Sequence, residues 1–542
     1  MKKFLNCKFL LFTIVLLAAF LRFYQLGINP PSLTWDEASW GYNAYSLGID
    51  GKDEFGKFLP YQYLESFGDF KPPIYAYLDI IPVKIFGLNE FAVRFPSAFF
   101  GVLAVLFTYF LVKRIFWKSD NANKYALFSS FFLAISPWHI LLSRAAFEAN
   151  IASFFIILGV WSFMVGVKEK RWFLIISAFS FVLSMYTFNT ARIATPLLVL
   201  ILTIGFRKEL FSIKKQAVIS AAFGLIFFLP ILGFLLSPQA KVRFQEVNIF
   251  SDLSILERSN QEIKNDNNSF WSKIIHNRRL VYTQEYLKHY FDNLKPSFLF
   301  ISGDENPKFS TQTTGQMYLW DIPFFIAGCL FLFRKREINW WIIPFWLLIG
   351  IIPAAVARET PHALRIESSL PTFQIIVAYG FVHLSEMIKR NTHVIVTAIC
   401  LFLFLNLVYF HHDYYAHYGN RFSGVWQYGY KASIEYVKSV QDKYNYIYVN
   451  NVLGRPYIYY LFYNKTQPDY FRKNSDVQRD TYGFVEVRQF GKYLFTRESD
   501  HSLNENKKIL YINSYKEIPE KAKVLKTFYL LNGDPVLAAY TL

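Results

Sequence analysis

The sequence predicts a polytopic α-helical membrane protein of about eleven transmembrane helices with a small extracytoplasmic α/β C-terminal domain. Three observations predict it. Of the 542 residues, 53% are hydrophobic and only 18% are charged, whereas soluble domains carry about a quarter charged residues. Apolar runs long enough to cross a bilayer recur from Phe9 to Phe410. The strongest short Lys/Arg clusters fall on alternate loops between these runs, all on one side.

The net charge of +17 raises nucleic acid as a partner. The positions of the basic residues exclude it, because they cluster in short loops between apolar runs, as the positive-inside rule describes. Cys7, Cys329 and Cys400 lie in or beside apolar segments and imply no disulfide framework.

Met1-Lys2-Lys3 precedes the first apolar run, Phe9–Phe20. No small-residue cleavage site stands before Arg22, so the run is read as an uncleaved helix. A loop from Gly27 to Arg94 follows. Span two, near Phe95–Val112, ends in Lys113-Arg114, and span three, near Tyr125–Leu142, returns to Ser143-Arg144. Span four, near Ile151–Val167, ends in Lys168-Glu169-Lys170-Arg171. Spans five, six and seven are expected near Trp172–Phe188, near Ile193–Phe206, and from Lys214-Lys215 to Leu236. A polar outer loop, Ser237–Tyr318, separates them from span eight, near Leu319–Phe333, which closes in Arg334-Lys335-Arg336. Spans nine, ten and eleven are expected near Trp340–Val356, Ser368–Met387 (followed by Lys389-Arg390) and Val394–Phe410.

These clusters place the N terminus in the cytoplasm and the first loop outside, in a plasma membrane. Cysteine labelling at Lys118 and at Leu542 is expected to report opposite faces. The same face for both would remove the basis for an outer site.

Residues 1–410 are thus expected to form a transmembrane domain and residues 411–542 an α/β domain outside. In the tail, Lys431–Tyr446 has helical spacing through Ile434, Val437 and Val440. Tyr446–Val449, Tyr457–Phe462, Lys508–Ile512, Val524–Tyr529 and Pro535–Tyr540 are short runs of aromatic or β-branched residues between polar turns.

Within the spans the visible ionisable groups are His139 and His383, with Glu386 near an inner end. Charge collects instead at the outer ends of helices, where acidic groups are costly to desolvate and tend to be functional. Trp35-Asp36-Glu37-Ala38, Lys71-Pro72-Pro73 and Glu90-Phe91-Ala92-Val93-Arg94-Phe95-Pro96-Ser97, in this order, resemble the membrane glycosyltransferases of the protein O-mannosyltransferase and aminoarabinose-transferase type, which are GT-C-fold enzymes of the family-39 kind. Ser143-Arg144 with Glu148 resembles that family's second acidic motif, which more often has Asp at the acidic position. Pro361-His362-Ala363-Leu364-Arg365, followed by Leu370-Pro371, resembles the motif leading into a late span. The resemblance covers most of residues 1–410 and leaves the tail uncovered.

The resemblance implies transfer of a sugar from a polyprenyl-phosphate donor to a glycan, lipid or protein acceptor of the envelope, at the outer leaflet among membrane lipids. It implies Asp36 as general base and Glu148 as the second acid, with Glu37 beside them. Lys71 matches the family lysine next to the donor phosphate. Location and charge add Arg144 and Arg365 to the phosphate group, and Asp69, Arg94 and His362 as further candidates. Some relatives carry an acid directly before Lys-Pro-Pro; here that position is Phe70, with Asp69 one residue earlier, which weakens the carry-over of a metal site; no cofactor is expected, and a divalent metal is possible but unsupported.

Plainer roles compete for each residue. Asp36 suits a helix N-cap, Lys71-Pro72-Pro73 a rigid loop, Glu148 a cap, and Arg144 and Arg365 snorkelling anchors. A lone His362 is more often simply polar than a ligand. A transporter or lipid flippase is the rival class. It calls for charges at mid-span and inverted repeats.

Overall fold

The apolar runs marked as spans fold as helices, and the loops between them carry more structure than their composition suggests. The computed structural model describes residues 7–238, 240, 248–387, 393–479, 485–496 and 507–542. The basic clusters Met1-Lys2-Lys3 and Lys389-Arg390 lie outside the described residues.

Among the described residues, Glu90–Ile115, Glu148–Lys168 and Lys214–Leu235 are helices long and apolar enough to cross a membrane. Expected span three is a bent pair, Ala122–Ile135 and Pro137–Arg144, meeting at 56°. The cause is local: Ser136, which precedes Pro137, takes φ −59° and ψ 124°, and a residue before proline is driven out of the helical region. Phe173–Met185, Ala191–Gly205 and Ile342–Ala355 are apolar but shorter. The other expected spans coincide with Cys7–Phe23, Asp321–Lys335, Thr372–Met387 and His393–His412. The chain is an integral, multi-pass membrane protein.

The Ser237–Tyr318 segment is not a plain polar loop. It contains helices Leu253–Asn265, Phe270–Ile275 and Arg278–Asp292. Asp252, Ser269 and Asn277 cap them by accepting from the backbone N–H groups of Ser254, Ser272 and Arg279.

The chain forms two compact units. The first comprises the chain up to Arg22, Phe99–Ser143 and Glu148–Phe410. It is a helical unit packed through small residues, as membrane helices are. Gly328 of Asp321–Lys335 and Gly380 of Thr372–Met387 mark one such crossing, since a Cβ at either would stand 2.0 Å from a carbonyl oxygen of the facing helix. The two histidines of the spans are held by neighbours: Arg22 Nη2 is 2.6 Å from His139 Nδ1, and the Tyr125 hydroxyl is 3.0 Å from His383 Nε2.

The second unit comprises Phe23–Ala98, Arg144–Phe147 and His411–Leu542. The expected border between catalytic domain and tail, at residues 410 and 411, is therefore only one of several, and the first loop packs with the tail. The reason is a long-range interface that helix Trp35–Asp50 makes with helix Pro456–Tyr463. Gly41 lets the two approach, since a Cβ there would lie 2.6 Å from the Phe462 ring. The Tyr459 hydroxyl donates to Leu33 O at 3.1 Å, the Tyr42 hydroxyl to Thr466 O at 3.1 Å, and Arg472 to Asp50 at 2.7 Å.

Strands β1 (Leu64–Ser66) and β2 (Asp69–Lys71) form a hairpin in the first loop. The tail builds a seven-stranded mixed sheet from β3 (Tyr446–Asn450), β4 (Ser475–Arg479), β5 (Val485–Phe490), β6 (Tyr493–Thr496), β7 (Ile509–Ser514), β8 (Lys523–Tyr529) and β9 (Pro535–Thr541). Its order is β4-β5-β6-β3-β7-β9-β8, with β3 parallel to both β6 and β7. One aromatic run departs from expectation: Tyr457–Phe462 is helical, because Pro456 occupies the first helical turn, where proline's fixed φ favours helix and its missing N–H costs nothing.

Candidate active site

The site is built on the start of helix Trp35–Asp50. Thr34 caps it, accepting from Glu37 N while the Glu37 carboxylate accepts from Thr34 N, the reciprocal capping box. The two acids of the motif then part company. Successive helical residues point about 100° apart, so Asp36 and Glu37 face different surroundings.

Asp36 faces outward, its side chain 48% exposed, and its carboxylate accepts from Lys71 Nζ. Lys71 is delivered by β2, in register with Leu64 of β1. The turn between the strands, Phe67-Gly68, has φ of +58° and +83°, which suits a tight hairpin. The Lys71 side chain is only 11% exposed. Its ammonium lies 5.3 Å from the Trp40 ring and 5.5 Å from the Phe67 ring. A sheltered cation thus holds a half-open carboxylate.

Glu37 is buried and saturated. Oε1 accepts from Arg94 Nε at 2.9 Å and from Ala146 N at 3.0 Å. Oε2 accepts from Thr34 N at 3.0 Å and from Arg94 Nη2 at 3.4 Å. Arg94, equally buried, also donates to Leu26 O at 3.1 Å, Pro30 O at 2.8 Å and Ser32 O at 2.6 Å. The pair ties the loop before the helix, the helix start and the Arg144–Phe147 segment together. Its geometry suits positioning of Asp36 rather than proton transfer.

Arg144 is also fully buried. It donates to Asn29 O at 2.9 Å and to the Tyr414 hydroxyl at 3.2 Å, with its guanidinium 5.4 Å from the rings of Tyr414 and Tyr415. Asp69 sits on β2, two residues before Lys71.

Glu148, His362 and Arg365 belong to the other compact unit. Glu148 opens helix Glu148–Lys168. Arg365 donates to Glu359 O at 3.0 Å. His362 packs its ring against that of Phe309, tilted by 37° with centroids 4.9 Å apart. Burial, and then the positive charge of Arg365, hold its imidazole well below the ordinary range. Asp304 accepts from Ala363 N at 2.7 Å, and burial raises its carboxyl to about 6.

Besides Asp304, further buried acids were missed by sequence reading, among them Glu367 and Glu54. Glu367 is completely buried, and neither of its carboxylate oxygens has a hydrogen-bond partner among the described residues. Burial, and then the negative charge of Glu148, push its carboxyl well above the usual range. Its position two residues after Arg365, at a helix end, was the available signal. Glu54 is buried in the second unit, takes hydrogen bonds from Asn43 Nδ2 at 3.2 Å and the Tyr457 hydroxyl at 3.4 Å, and is raised by burial to about 8. Its place in the acidic pair Asp53-Glu54 of the first loop was the only hint.

Residues 12–248 match the family model of dolichyl-phosphate-mannose-protein mannosyltransferases. The matched stretch carries Asp36, Glu37, Lys71, Arg94, Arg144 and Glu148, so the resemblance read from the motifs holds. The chain is 31% identical over 215 residues to an uncharacterized protein of Aquifex aeolicus, 39% of this chain and 40% of that one. It is 28% identical over 163 residues to the provisionally named mannosyltransferase YkcB of Bacillus subtilis, 29% of this chain and 22% of that one. The matches therefore span less than half the length of these relatives. Over 98% of its length the chain is similar to the crystal structure of ArnT from Cupriavidus metallidurans bound to undecaprenyl phosphate, with a TM-score of 0.57, 12% identity and 97% of that chain covered. This is likeness of fold, and it supports a polytopic GT-C fold for the present chain.

Proposed function

We propose that this protein is a glycosyltransferase that moves a sugar from a polyprenyl-phosphate-linked donor to an envelope glycan, lipid or protein at the outer face of the membrane. The observation that carries the reading is the Asp36–Lys71 pair, a half-exposed carboxylate held by a sheltered ammonium, inside the stretch that matches the mannosyltransferase family. The likeness of fold to ArnT bound to undecaprenyl phosphate supports a lipid-phosphate donor.

The chemistry follows from the two charges. An acceptor hydroxyl attacks the anomeric carbon and forms the new C–O bond. Its proton passes to the Asp36 carboxylate, acting as general base. The bond from the anomeric carbon to the phosphate oxygen breaks, and its electron pair leaves on the lipid phosphate. The Lys71 ammonium neutralises the charge that develops there. Glu37 and Arg94 hold the helix start in place, and Arg144, in the same unit, is a further candidate for the donor phosphate.

The rival reading as a transporter finds little support in the spans, where His139 and His383 are engaged by Arg22 and Tyr125. Lys71→Ala tests the proposal. It is expected to raise the KM for a polyprenyl-phosphate sugar more than that for the acceptor. Lys71→Arg should restore part of the loss, because it keeps the charge with a different geometry. An unchanged donor KM in Lys71→Ala would leave Lys71 a loop-stiffening role only.

A further inference from the structure

The sheet of the tail places a cleft at the carboxyl end of its central strand. β3 ends at Asn450 with parallel neighbours on both sides. The chain then turns through 451–455 and enters helix Pro456–Tyr463. In sheets with parallel strands, ligands bind in the crevice beyond the carboxyl ends. Here that crevice is a cleft of about 470 Å³ walled by Asn451, Val452, Arg455, Tyr457 and Glu486. The volume falls in the range of small-molecule sites, roughly 300–1,000 Å³.

Its polar groups are planar and mixed. Asn451 Nδ2 donates to Glu486 Oε1 at 3.3 Å, while Asn451 Oδ1 is shielded from solvent with no hydrogen-bond partner among the described residues. Arg455 donates to Val485 O at 3.2 Å, and no side chain caps the helix that follows it. A carboxylate only accepts, a guanidinium only donates and an amide does both. That set matches the neighbouring hydroxyls of a sugar, each of which donates and accepts.

The cleft also adjoins the Asp36–Lys71 pair. The Arg455 guanidinium lies 5.6 Å from the Phe67 ring, and the Lys71 ammonium lies 5.5 Å from the same ring. Gly454, at φ +124°, rests on Trp35, so closely that a Cβ would stand 2.7 Å from the indole. Trp35 immediately precedes Asp36. We infer that this cleft binds a saccharide unit of the acceptor and sets its reacting hydroxyl toward Asp36. The inference rests on the glycosyltransferase reading above and names the acceptor class that reading leaves open.

The test uses the full chain in lipid nanodiscs, with mannobiose and N,N′-diacetylchitobiose as probes and saturation-transfer NMR as readout. At least one saccharide is expected to bind. Val452→Trp, which fills the cleft, and Glu486→Gln, which removes its carboxylate, are each expected to weaken binding about tenfold. Undecaprenyl phosphate should bind both variants as it binds the parent protein. Binding of neither saccharide, or saccharide binding indifferent to both substitutions, would overturn the inference. So would competition between undecaprenyl phosphate and the saccharide, which places the donor in the cleft. Failure of the glycosyltransferase reading shows separately, as no consumption of a polyprenyl-phosphate sugar by the parent protein.

Discussion

Asp36→Asn is expected to lower sugar transfer about 100- to 10,000-fold while leaving the folded protein intact. The amide keeps the shape of the side chain and its hydrogen bond from Lys71 but cannot take the acceptor's proton. Stability should fall less than at a fully buried pair, because the Asp36 side chain is 48% exposed and only Lys71, 11% exposed, is sheltered. Turnover and thermal unfolding of the purified variant are the two readouts. Near-normal turnover would remove Asp36 from the chemistry.

Glu37→Gln is expected to do the opposite. Glu37 and Arg94 form a pair with side-chain exposures of 1% and 0%. Removing one member of such a pair leaves the other charge buried and uncompensated, a loss of about 3–5 kcal/mol. The Gln amide nitrogen also leaves either Arg94 Nε and Ala146 N, or Thr34 N and Arg94 Nη2, without their acceptor. The expected result is a large drop in the unfolding temperature and in folded yield, with activity falling in proportion to folded protein. A Glu37→Gln protein that is fully stable yet inactive would return Glu37 to the chemistry.

The contrast between these neighbours shows where sequence reading reaches its limit. Two adjacent acids outside a first membrane helix look alike in a chain of letters. The capping box turns one inward to Arg94 and the other outward to Lys71, and that separation depends on residues 57 and 35 positions away. The spans were legible because a bilayer demands long apolar runs whatever the tertiary structure. The bend at Ser136-Pro137 was written in the sequence as a proline, yet the apolar run passes through it unbroken. Tyr457–Phe462 is rich in the residue types that strands favour, and only Pro456 marks it as a helix.

The packing of the first loop with the tail left no local trace at all. It rests on contacts such as Tyr459 to Leu33 and Arg472 to Asp50, which join residues more than 400 positions apart. A chain ending near Asp413 is therefore expected to lose the arrangement around Asp36, because it lacks the tail against which the first loop packs.

The central claim is that the protein transfers sugar rather than lipid. It is tested most directly by supplying a radiolabelled polyprenyl-phosphate sugar to the purified protein in sealed vesicles with an envelope extract as acceptor. Free polyprenyl phosphate and labelled acceptor should appear in equal amounts, and both should vanish in Asp36→Asn. Label that crosses the bilayer still attached to its lipid, with no polyprenyl phosphate released, would identify a flippase and contradict the account.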